Sequence, residues 1–98
     1  MAAEAVEDVL DSLSNTGGVI GVVVCDHNGI PARDTFQELD RGLAINYAQA
    51  AASIAREALP LVAKDGGLSS IRVRTQTVEL FIKANERYLL VVVQDPSV

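Results

Sequence analysis

Between Ala3 and Ser14 the apolar residues Val6, Val9, Leu10 and Leu13 recur at helical spacing, while Glu4, Glu7, Asp8 and Asp11 fill the opposite face. This predicts a first amphipathic helix whose early acids complement the helix dipole. Asn15-Thr16-Gly17-Gly18 ends it, because the glycines supply the positive φ that a helix exit commonly needs. The pattern then changes period. Val19 to Cys25 is a nearly unbroken β-branched run, and Asn28-Gly29 after it signals a two-residue hairpin turn. A return strand follows from Ile30 to Thr35, and Pro31, which has no N–H to donate, places it at a sheet edge.

Helical spacing resumes from Leu43 to about Ala63, with Asn46, Gln49, Ser53, Arg56, Glu57, Pro60 and Lys64 gathered on one side. The apolar arc opposite holds Ala44, Tyr47, Ala48, Ala51, Ala52, Ile54, Ala55, Ala58, Leu59 and Val62. It spreads over more than half the circumference, whereas a helix lying on one sheet needs a stripe of roughly 100°. The excess predicts a second covering surface. So many alanines would let another helix approach closely, so a helix-to-helix dimer contact is expected, with Pro60 bending the helix on its polar side.

Asp65-Gly66-Gly67 breaks this helix, and three strands are predicted at Leu68 to Thr75, Thr77 to Ala84 and Tyr88 to Gln94. A tight turn at Thr75-Gln76 or Gln76-Thr77 keeps Ile71 and Val73 facing Val78, Leu80 and Ile82, and sets the arginines across from Glu79 or its neighbours. Val19–Val24 and Tyr88–Val93 are apolar on both faces and should be central, with the alternating strands toward the edges. The fold class is therefore α/β in the α+β sense. It is a five-stranded, mainly antiparallel sheet between helices, in the order αββαβββ, forming one domain over residues 1–98.

Composition changes the picture in three places. Hydrophobic residues make up 49% of the 98, with two Phe, two Tyr and no Trp, so Ala, Val, Leu and Ile must build the core and disorder is excluded. The net charge of −5 arises at one end: Glu4, Glu7, Asp8, Asp11 and Asp26 all precede the first base, Arg33. That argues against nucleic acid and is compatible with a basic protein partner. A single cysteine, no charged-then-apolar leader and no apolar run near the ~20 residues that span a bilayer point to a reducing cytoplasmic setting without a membrane anchor.

Candidate chemistry is sparse. Cys25 and His27, two apart on a strand, would share a face as a thiol–imidazole pair, but the thiol ends a buried strand and the imidazole sits at a hairpin. One His and one Cys give no zinc-ligand set. Gly17-Gly18-Val19-Ile20-Gly21 precedes a strand instead of joining a strand to a helix, so it is no dinucleotide loop. Arg72 and Arg74 could clamp a carboxylate or phosphate, although pairing with Glu79 is simpler. No enzyme, cofactor, metal or small-molecule substrate is expected.

The motifs Gly18-Val19-Ile20-Gly21-Val22, Asn28-Gly29-Ile30-Pro31, Tyr47-Ala48, Ile71-Arg72-Val73-Arg74 and Tyr88 through Pro96 together resemble the roadblock family of dynein light chains, over nearly all of Val6 to Pro96. The resemblance implies a roadblock/profilin-like sandwich and a homodimer, or a pair with a paralogue. In that pair the second helices pack antiparallel and the strands at Leu68 to Thr75 join across the two-fold into one ten-stranded sheet. It thus implies a dimer interface of Tyr47, Ala48, Ala51, Ala52, Ile54, Ala55, Ala58, Ile71, Arg72, Val73 and Arg74. It further implies a non-catalytic adaptor that binds dynein intermediate chains at the motor's cargo-binding base, microtubule-associated in cytoplasm or cilium. Relatives of the same fold scaffold or regulate small Ras-like GTPases, which is the alternative.

Overall fold

The two runs that are apolar on both faces pair with each other in antiparallel register, Val22 opposite Val92 and Val23 opposite Val91. Around them a computed structural model describes residues 3–67 and 70–97. Its elements are α1 (Ala3–Ser14), β1 (Val19–Asp26), β2 (Pro31–Asp34), α2 (Arg41–Val62), β3 (Ser70–Arg74), β4 (Glu79–Ala84) and β5 (Tyr88–Gln94), with short 3-10 turns at Glu38–Asp40 and Ala63–Asp65 flanking α2. The sheet order is β2-β1-β5-β4-β3 with every neighbouring pair antiparallel. The expected places of Glu4 and Val6 on the first helix's faces, and of Leu68 and Ser69 in the third strand, lie outside the described side chains and residues.

Alternation along the strands separates two cores. Val23, Cys25, Leu80, Ile82, Leu89, Val91 and Val93 point to one face and pack under the alanines of α2. Val22, Val24, Phe81, Leu90 and Val92 point to the other, where Leu10 and Leu13 of α1 cover part of them. A side chain as fully buried as Leu89 or Ile82 contributes roughly 1.5–3 kcal/mol. That is how a chain poor in aromatics closes its core.

Both predicted hairpins form, one with a different loop. In the second, Arg74 faces Glu79 and the Thr75 N–H donates to the Val78 carbonyl at 2.8 Å, leaving Gln76-Thr77 as the turn. The first is not the two-residue Asn28-Gly29 turn that the sequence suggests. The Asp26 N–H donates to the Ile30 carbonyl and the Gly29 N–H to the Asp26 carbonyl, both at 3.0 Å, so three residues, His27-Asn28-Gly29, make the loop. A mirror-image turn needs positive φ at both central residues, yet only glycines have it here, Gly29 at 84°. Asp26 decides the outcome, because its carboxylate accepts the N–H groups of Asn28 and Ile30, both at 2.9 Å.

Candidate functional site

The wide apolar arc of α2 divides into two parts. Ala44, Ala48, Ala51, Ala52 and Ala55 are 0–2% exposed and lie on the chain's own sheet. The sequence reading sets four of them, Ala48, Ala51, Ala52 and Ala55, against a second helix, whereas in the single chain they are already buried against its own sheet. The physical reason is proximity. Small side chains let the α2 backbone settle so near the first hairpin that a Cβ on Gly29 would lie 3.0 Å from the Gln49 Cα.

What stays uncovered is a flank of the same helix. Tyr47, Ile54 and Ala58 are half-buried, while Leu43 and Leu61 are 47% and 82% exposed. Tyr47 and Ile54 pack against the same core as Ile71 and Val73 of β3. Thus Tyr47, Ile54, Ile71 and Val73 lie in one region, with Ala58 one turn beyond Ile54 on the same helix, beside a strand whose outer edge has no neighbour among the described residues. Leu43 and Leu61 belong to this stripe and are absent from the interface that the sequence suggests. A signal for them exists, since 43, 47, 54, 58 and 61 fall on one helical face.

Arg72 and Arg74 turn to the α1 face of the sheet. Arg74 Nε lies 3.2 Å and Arg72 Nε 3.9 Å from the Glu79 carboxylate, which is 16% exposed. Arg72 also stacks 5.4 Å from the centre of the Phe81 ring, and Arg74 donates to the Pro96 carbonyl at 2.6 Å. The cross-strand reading holds: both guanidiniums have partners within the chain.

Cys25 and His27 do not form a reactive pair. Cys25 is wholly buried under α2, its Sγ 3.9 Å from the Ala48 carbonyl. Burial, with a smaller push from the neighbouring Asp26 charge, raises its thiol to about 11. The His27 ring is held by a 2.7 Å bond to the Asn85 carbonyl, and since a carbonyl only accepts, Nε2 carries the proton. In the unfolded chain the thiol ionises near 9.0, before the folded one can. The contribution of Cys25 to folding stability is therefore full below about pH 9 and is lost as the pH rises toward 11, and Cys25→Ala should flatten that decline. Denaturant midpoints of both chains across this range check it. Equal slopes would contradict the buried, neutral thiol.

Among the described residues, no group of three His, Cys, Asp or Glu could hold a metal, and no helix is long and apolar enough to cross a membrane. Against known proteins, the family model of the Roadblock/LC7 domain matches residues 5–95. The chain belongs to the Roadblock/LC7 family. Solved structures share the fold at low identity. The gliding protein MglB from Thermus thermophilus superposes with a TM-score of 0.80 at 19% identity, covering 99% of this chain and 77% of that one. An MglB with tetrameric arrangement gives 0.80 and 19%, over 99% and 76%. The Roadblock/LC7 domain from Streptomyces avermitilis gives 0.75 and 16%, over 89% and 75%. In this Roadblock/LC7 chain the five-stranded antiparallel sheet and its two helices are those of the family fold.

Proposed function

We propose that the chain is a non-catalytic, self-associating scaffold or regulator of a small Ras-like GTPase, acting in the cytoplasm. The observation that carries self-association is the continuity of the exposed α2 flank (Leu43, Tyr47, Ile54, Ala58, Leu61) with the open edge of β3. A second copy related by a two-fold axis would cover both at once, helix on helix and strand on strand. The tetrameric arrangement of one MglB is consistent with a self-associating fold. The inert Cys25 and the tethered His27 support a role without catalysis.

The GTPase reading takes precedence over the dynein light chain because the solved structures described above as sharing the fold are gliding proteins and a Streptomyces Roadblock domain. The order of motifs from Gly18 to Pro96 is what favours dynein as the second reading. Affinity purification of the tagged chain from its native cytosol, with and without a non-hydrolysable GTP analogue, separates them. A small GTPase recovered near stoichiometry, in amounts that follow the nucleotide, is the expected result. Recovery of dynein intermediate chains without a GTPase would reverse the order of the two readings.

A further inference from the structure

The face of the sheet opposite α2 is only partly covered. Between α1 and the turn joining β4 to β5 runs an open groove of about 760 Å³. Its floor is apolar: Leu10 and the half-buried Val24 and Leu90 lie at the bottom, and Val9 and Tyr88 stand beside them, 43% and 44% exposed. Its rim is basic. Arg33 rises from β2, Lys83 from the end of β4 and Arg87 from the turn, and among the described residues Glu86 is the one acid that lines the groove.

Three of the chain's eight basic residues thus gather on one groove of a protein whose net charge is −5. Arg33 is shared with Glu7 of α1 at 3.0 Å, both side chains more than half exposed, so this pair holds little energy. Lys83 and Arg87 make no ion pair among the described residues. The rim is also pre-set. The Asn85 side-chain oxygen accepts the N–H groups of Arg87 and Tyr88 at 2.8 and 2.7 Å, while its carbonyl is bound by His27. Little ordering cost remains for a ligand that meets this turn.

We infer that this groove docks an acidic amphipathic helix of a partner protein, its apolar face on Val24, Leu90 and Tyr88 and its carboxylates on Lys83, Arg87 and Arg33. Charge complementarity selects the occupant, since Arg33, Lys83 and Arg87 line this groove in a chain whose net charge is −5. The apolar floor selects a helix with one apolar face, which a uniformly charged chain lacks. The site lies across the sheet from the α2 flank, so it is independent of the proposed self-association and of the identity of any GTPase.

The probe is a fluorescein-labelled synthetic helix with leucines on one face and glutamates on the other, titrated with the full chain and followed by fluorescence anisotropy. Saturable binding is expected, at least roughly tenfold tighter than for a scrambled peptide of the same composition, and weakened by added salt. Lys83→Glu with Arg87→Glu should lower the affinity by roughly tenfold or more, with circular dichroism and oligomeric mass unchanged because both residues are exposed. Tyr88→Ser, which leaves the charges in place, should weaken binding as well. Absence of binding, equal binding of the scrambled peptide, indifference to the charge reversal, or binding only to phosphatidylserine vesicles would each overturn the proposal.

Discussion

Ile54→Glu is expected to weaken self-association by at least about a hundredfold, leaving a folded monomer at micromolar concentration. Ile54 stands mid-way along the exposed α2 flank and in contact with the core shared by Ile71 and Val73. A second copy would bury it. An unpaired carboxylate closed into such a contact costs about 3 kcal/mol or more, which is the factor of a hundred. Because Ile54 also packs within its own chain, Leu61→Glu serves as the companion variant. At 82% exposure Leu61 carries almost nothing in the monomer, so any effect there is on association alone. Sedimentation or light scattering reads both. A wild-type chain that already runs as a monomer would remove the self-association proposal and leave the flank to a different partner.

Gly21→Ala is expected to destabilise the fold by about 1–3 kcal/mol, a fall in Tm of roughly 5–20 °C for a chain of this size. Gly21 lies in β1 with Phe36 across it, and an added Cβ would come closer than 3.0 Å to three carbons of the ring. The ring cannot easily yield. Thr35 is held in the sheet, its hydroxyl accepting the Val22 N–H at 3.0 Å, and Asp34 accepts the Phe36 N–H at 3.0 Å. On its other side Phe36 meets Tyr47, ring centres 6.3 Å apart. Phe36→Leu in the Gly21→Ala background should recover part of the loss, and the four chains form a double-mutant cycle with a coupling of opposite sign to the single changes. An unchanged Tm for Gly21→Ala would mean that the ring is not seated over the strand.

The elements are legible because each has a distinct period. The all-apolar runs at Val19 and Tyr88 mark strands buried on both faces, Pro31 marks an edge, and the alternation of Ile71, Arg72, Val73 and Arg74 fixes which residues of the second hairpin share a face while leaving two registers open. What could not be read lies in competing local bonds and in distances between elements. Asn28-Gly29 is the usual signature of a tight hairpin, but the Asp26 carboxylate captures two amides and draws a third residue into the loop. The apolar arc of α2 is, as its pattern indicates, too wide for one sheet. Its division is hidden, since periodicity reports which residues share a face but not how near the helix sits to the strands below. Ala48, Ala51, Ala52 and Ala55 face inward, and the larger residues beside them are left outside. The basic groove escapes notice for a similar reason: Arg33 is far in sequence from Lys83 and Arg87 and meets them only when β1 pairs with both β2 and β5.

Under the proposed self-association, the row of alanines on α2 would bear on partner choice. Acting as a spacer, it sets the height of the helix above the sheet, and with it the offset between the exposed flank and the edge of β3. Two copies can close helix on helix and strand on strand together only when their offsets agree. One Ala51→Val change would lift the helix and spoil that agreement without altering any atom at the contact. Discrimination between an identical chain and a close paralogue would then be encoded in side chains that neither partner ever meets.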